Sequence, residues 1–334
     1  MSVGLGFVTV FGDFSEGYTM AKTSLSISSS DKRVLNSVMV TAYGMINIWK
    51  EPIQATLPQL KGTYDMSVKY GLIDNALASG MLHAYRAFFT GSLLKPLSKE
   101  VEVFMRNNSE RHKRRLMHLS TLPVSEGIWY LSGSLAPQTV GEFIPEEHMA
   151  EAVRNKELTL CECMLAVKMM CFFIFRRLGE IKSTARQYLD LYERNDQASA
   201  QFINIYRLFY GGLISLHFYR EYQDQFWMDR ASHAIKMMEL WTAESDWNFE
   251  NKVFLLQAER HYAFGEMDDA TEKYKLAEAS SRRHRFVHEE ALSCELASTF
   301  HKKIGNNDLA NELIRKAIKC YQTWGADKKV EMMK

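Results

Sequence analysis

Residues 146–334 contain no proline. All six prolines, Pro52, Pro58, Pro96, Pro123, Pro137 and Pro145, lie before that stretch, and only six of the 18 glycines lie within it. Proline removes a backbone donor and clashes with the preceding helical turn, and glycine inside a helix costs about 1 kcal/mol relative to alanine. A long segment nearly free of both suits continuous helices, whereas sheets need such residues at their turns. The C-terminal half therefore reads as helix upon helix.

Apolar spacing agrees. Leu158, Cys161, Leu165, Met169, Phe172 and Phe173 recur at helical intervals, Gly179 interrupts them, and Ile181, Ala185, Tyr188, Leu189 and Tyr192 resume the pattern, which predicts a helical hairpin turning at Gly179. The same arrangement returns as Val253 to Phe264, Gly265 and Asp268 to Ser280, and again as Glu290 to Ile304, Gly305 and Asp308 to Trp324. At an offset of 40, Glu250 falls on Glu290, Leu256 on Leu296, His261 on His301, Gly265 on Gly305, Asp268 on Asp308, Ala270 on Ala310, Glu272 on Glu312 and Ala277 on Ala317. This is an internal repeat. Gly265 and Gly305 can take the positive φ of a tight turn, Asp268 and Asp308 are placed to cap the second helix, and Ala258 or Ser298 is expected to face Ala270 or Ala310 at a close crossing. Gly265, Ala270, Ala277, Gly305, Ala310 and Ala317 are thus the expected repeat-packing residues.

Earlier turns at Gly12, at Trp49-Lys50 and at Gly91 are also about 40 residues apart, and Pro52 and Pro96 mark helix starts, where a missing N–H costs nothing. The expected fold is all-α, a solenoid of helical hairpins with a period of about 40 residues. It divides into N-terminal repeats at 1–106 with a truncated first hairpin, an irregular insertion at 107–157 and C-terminal repeats at 158–334.

Charge and composition narrow the function. With 41 basic and 40 acidic residues the net charge of +1 offers no broad field for nucleic acid or an anionic membrane, and 46% apolar content is too high for a disordered chain. No segment has the length of apolar residues a spanning helix needs, and Val3 to Phe11 lacks the basic flank of a signal peptide, so a cytoplasmic protein is expected. The five cysteines, Cys161, Cys163, Cys171, Cys294 and Cys320, form no framework spacing and read as buried thiols.

Candidate chemistry dissolves on inspection. The closest approach to a phosphate loop, Glu16 to Thr23, has Glu16 and Ala21 where glycines are required and places Lys22 on a helix; Gly4-Leu5-Gly6 lacks the rest of a dinucleotide fingerprint. Cys161 and Cys163 point to opposite sides of one helix and cannot share a metal. His284 and His288 sit among Arg282, Arg283 and Arg285, which would repel a cation, and read as solvated histidines; His288-Glu289-Glu290 lacks the residues that follow a phospho-acceptor histidine. The basic runs Arg111 to Arg115 and Arg282 to Arg285 read as solvated faces, and Asp268-Asp269 has no partner motif for a diphosphate-bound magnesium. No catalytic residue, metal or cofactor is expected.

The strings FVHEEALSCELASTF (286–300), YQTWGA (321–326), GMINIWKEPIQATLPQLKGTYDMSVKYG (44–71), FFTGSLL (88–94) and FRRLGEIKSTARQYL (175–189) carry a resemblance. They resemble the tetratricopeptide-like helical region of large signalling proteins that join a serine/threonine-kinase-like domain, a P-loop AAA-type ATPase, this array and often a GAF sensor and histidine kinase. The family's ATP sites and phospho-acceptor lie in its other domains, so the resemblance implies a non-catalytic scaffold for protein or peptide partners, including kinase and ATPase modules. The alternatives are a free-standing peptide-binding module acting in trans and, third, an all-α enzyme of unrecognised type. In such a stack the first helix of each hairpin lines the concave surface, which would turn Lys252, Glu259, Tyr262, Glu295 and Lys302 toward a partner. The uncapped apolar start, with Val3, Leu5, Phe7, Val8, Val10 and Phe11, implies a polypeptide continuing upstream and self-association of the isolated chain.

Overall fold

A computed structural model describes residues 2–107, 115–133, 143–193 and 202–334, and among these the regular structure is all helical, with no strand. In chain order the helices are α1 (Ser2–Gly6), which runs on as a π-helical turn through Phe11, α2 (Phe14–Ile27), α3 (Lys32–Thr41), α4 (Thr56–Tyr70), α5 (Ile73–Phe89), α6 (Leu94–Asn107), α7 (Arg115–Ser132), α8 (Glu146–Arg154) and α9 (Leu158–Ile174). There follow α10 (Leu178–Glu193), α11 (Phe202–Tyr222), α12 (Gln225–Thr242), α13 (Asp246–Phe264), α14 (Met267–Arg283), α15 (Val287–Lys303), α16 (Asn307–Trp324) and α17 (Asp327–Met333). Successive helices pair and stack from α11 to α16, α9 packs on both α7 and α11, and α17 returns against α7. No helix of the described residues is long and apolar enough to cross a membrane.

The hairpins turn where backbone chemistry dictates. Gly265 and Gly305 take φ values of 79° and 85°, a region closed to most side chains, and release the chain from α13 and α15. Ala270, Ala277 and Ala317 are wholly buried and Ala310 nearly so, and Ser298 Oγ donates to the Ala310 carbonyl at 2.7 Å, which ties α15 to α16 at the small-residue crossing. The caps differ from expectation: Asp268 and Asp308 lie in the first turns of α14 and α16, and the residues preceding those helices are Glu266 and Asn306. The Asn306 side chain accepts from the Leu309 N–H, while the aspartates complement the helix dipoles.

Two further expectations are corrected. The hairpin expected to turn at Gly179 turns at Arg176, in the left-handed region with φ 58°, and Gly179 falls in the first turn of α10. The segment expected to be irregular carries α7 and α8, and Pro123 lies inside α7. There proline deprives only one carbonyl of its donor, and burial of Val124, Ile128 and Leu131 in the core offsets the loss.

One continuous apolar core runs from Val8 in the first turns to Val330 in α17. Its N-terminal and C-terminal parts are joined by polar contacts at definite points. Asn248, at the start of α13, accepts from the Ile53 N–H at 2.9 Å and donates to the carbonyls of Ile48 at 2.7 Å and Glu51 at 2.8 Å. Beside it Trp49 stacks on Phe249 with ring centroids 5.7 Å apart. Trp324 Nε1 donates to the Ser92 carbonyl at 3.1 Å, and Gly91 lies so close to His288 that a Cβ would stand 2.5 Å from the ring.

Ala310→Trp should lower stability by about 1 to 3 kcal/mol or more, because a buried crossing closed by a side-chain hydrogen bond cannot absorb an indole. Gly62→Ala, on the exposed face of α4 where a Cβ meets nothing, should raise it by roughly 0.5 to 1 kcal/mol. Urea denaturation of the two variants checks both signs; an unchanged midpoint for Ala310→Trp would break the assigned packing.

Candidate functional site

The residues expected to face a partner are the starting point, and the structure divides them. Lys252, Glu259 and Glu295 are buried, with exposures of 0%, 1% and 6%. Tyr262 is half-buried and Lys302 exposed. All five lie on α13 or α15, the first helices of their hairpins, yet the inner faces of these helices meet the chain itself. The expectation that Lys252, Glu259 and Glu295 line an open concave surface is therefore corrected: the α9–α10 turn, α11, α15 and α17 supply groups that occupy them.

Glu295 accepts from Lys329 Nζ of α17 at 2.7 Å, from the Tyr321 hydroxyl of α16 at 2.9 Å and from Arg176 Nε at the α9–α10 turn at 3.2 Å. Glu259 accepts from the Tyr274 hydroxyl of α14 at 2.5 Å and from Arg220 near the end of α11. Burial opposes ionisation of both carboxyls, but the surrounding cations and phenols outweigh it and hold each below its ordinary value of 4.5. Arg176 lies near enough to act on both, so the two clusters form one charged seam.

Lys252 behaves differently. Its Nζ donates to Glu289 Oε2 at 2.9 Å and to the Asn248 carbonyl at 3.1 Å, and its cation lies 4.1 Å from the centroid of the Phe286 ring. Burial lowers the Lys252 pKa and raises that of Glu289 despite their pairing, so here desolvation outweighs attraction. His288 beside them is fully buried against Trp324, and burial together with the charge of Lys252 pushes its pKa down to about 3. His284 is likewise buried and stacks on Trp247 at 4.7 Å, so neither histidine is the solvated group expected from sequence.

Lys22 stands on α2, 2.9 Å from Glu51, with no glycine-rich loop around it. Arg282 pairs with Glu278 and Glu290, and Arg283 with Glu250, so this basic run binds the repeat-matched Glu250 and Glu290. Arg111 to Arg114 lie outside the described residues, and nothing is described of the Arg115 side chain. His261, Glu266 and Asp269 bring ligand atoms within 4.8 Å of one another at the α13–α14 turn, where His261 already pairs with Glu266. A groove of about 370 Å³ opens between α4, α5 and α6, floored by Ala84, Leu97 and Phe104 and rimmed by Lys61, Asp65 and Glu100.

Sequence reading missed this groove, the half-buried partners Arg176 and Arg220 and the buried partner Lys329. No protein-family model matches the chain, and no curated protein matches it.

Because the folded pKa values of Glu259 and Glu295 lie below 4.5, their stabilisation is complete above the unfolded carboxyl pKa and is lost as pH falls through the folded values. The thermal midpoint should therefore decline steadily as pH falls below about 5. Glu295→Gln should lower the midpoint at neutral pH and flatten this acid slope; an unaltered slope would contradict the seam.

Proposed function

We propose that the chain is a non-catalytic helical-repeat scaffold, a tetratricopeptide-like array with a period of about 40 residues that serves protein interactions of kinase and ATPase modules. The observation that carries this reading is the equivalence of the α13–α14 and α15–α16 hairpins, which place turn glycines at 265 and 305 and buried alanines at 270, 277, 310 and 317. The sequence resemblance supplies the signalling context. Since Lys252, Glu259 and Glu295 are engaged within the chain, partner contact falls to surfaces that remain open, including Lys302 and the outer part of Tyr262.

One observation favours a second reading, a free-standing peptide-binding module acting in trans. The groove between α4, α5 and α6 combines an apolar floor with rim charges of both signs, the complement of a short amphipathic segment.

Purified chain incubated with ATP should release no phosphate above a buffer blank. Turnover that co-purifies with the chain and disappears in Lys22→Ala would overturn the non-catalytic reading. Selection of peptides from a random display library separates the two readings. Enrichment of amphipathic sequences lost in Leu97→Asp, with helical content retained, would promote the free-standing module; no enrichment, together with binding to a kinase or ATPase module in direct assay, favours the scaffold.

A further inference from the structure

The array has a second concavity, away from the seam and from the α4–α6 groove. A cleft of about 460 Å³ lies between α7, α8 and α9, a volume suited to a small organic molecule. Its floor is apolar, built from the buried Pro123, Ile144, Leu160 and Met164. Glu126, half-buried on α7, enters from the side, and Glu151, Glu157 and His148 stand around the mouth. Among the described residues no lysine or arginine lines the cleft, although the chain as a whole carries 41 basic and 40 acidic residues.

Glu126 is held in place. Its Oε2 accepts from the Ile144 N–H at 3.2 Å, and the Ile144 carbonyl accepts from the buried Lys168 Nζ at 3.0 Å. Ile144 stands at φ 44°, a conformation unfavourable for a β-branched residue, with its N–H turned to Glu126 and its carbonyl to Lys168. Burial raises the carboxyl's pKa, opposed by the Ile144 N–H and by His148. A cation in the cleft would relieve that desolvation by supplying the missing opposite charge.

We propose that the cleft between α7, α8 and α9 binds an organic cation, an amine or guanidinium on an apolar stem, with Glu126 receiving the charged head and the Ile144–Leu160–Met164 floor receiving the stem. This stands independently of the scaffold reading, since neither the repeat equivalence nor any partner enters it.

Calorimetric titration with phenethylamine, its uncharged analogue 2-phenylethanol and the anion 3-phenylpropionate tests the proposal. The amine should bind saturably, the alcohol at least about tenfold more weakly and the anion not at all. Glu126→Gln should weaken the amine by about tenfold or more while leaving the alcohol unchanged. Should that variant fail to fold by circular dichroism, Glu151→Lys at the exposed mouth decides: weaker amine binding supports the site and unchanged binding overturns it. A blocked peptide with one lysine, assayed alongside, distinguishes a protein side chain from a free amine as the source of the cation. Equal affinity for amine and alcohol, or no saturable binding of either cation, would overturn the proposal.

Discussion

A carboxylate removed from water must be met by charge and hydrogen bonds, or the structure that buries it does not form. Glu295 meets this condition with groups drawn from three places in the chain: Lys329 on α17, Tyr321 on α16 and Arg176 at the α9–α10 turn. Glu259 does so with Arg220 and Tyr274. The requirement accounts for features that local sequence leaves unexplained. Arg176 adopts a left-handed conformation that arginine does not favour, and its side chain reaches Glu295 from that turn while its guanidinium lies 4.8 Å from the centroid of the Phe173 ring. The short α17, which has little helical stability of its own, is anchored by a fully buried Lys329 on this seam.

The N-terminal half is attached by a different device. Around Asn248 the stretch 47–53, between α-helices, leaves carbonyls and an N–H outside any α-helix, and one amide side chain satisfies three of them. Trp49 fills the space beside it, and Gly91 allows His288 to approach the α5–α6 turn. The first helices of the C-terminal hairpins thus find their neighbours within the same polypeptide. Among the described residues, the surfaces open to other molecules include the outer surface, the α4–α6 groove and the α7–α9 cleft.

Much of the helical layout was legible because it depends on local chemistry. The turns expected at Gly12, Gly91, Gly265 and Gly305 all occur at positive φ. Ala270, Ala277, Ala310 and Ala317 are buried. α7 escaped because Pro123 and Gly127 mask its apolar period, and their local cost is offset by packing on α5, α6, α9 and α17. The site residues escaped for a related reason: Lys252, Glu259 and Glu295 look like solvent-facing charges on a helical wheel. The partner of Glu295 at the α9–α10 turn is 119 residues away in sequence, and that of Glu259 on α11 is 39 away. No periodicity reports such a pairing, so charge on these helices could be recognised while its direction could not.

The central claim is that the charged inner faces of α13 and α15 close on the chain itself. Amine-reactive labelling under native conditions, read residue by residue by mass spectrometry, tests it directly, because Lys252 and Lys329 are wholly buried whereas Lys302 on α15 is exposed. Lys302 should label at the rate of a free lysine, with Lys252 and Lys329 protected until the protein unfolds globally in denaturant. Labelling of Lys252 and Lys329 as fast as Lys302 in the folded protein would contradict a closed inner face and restore an open concave surface.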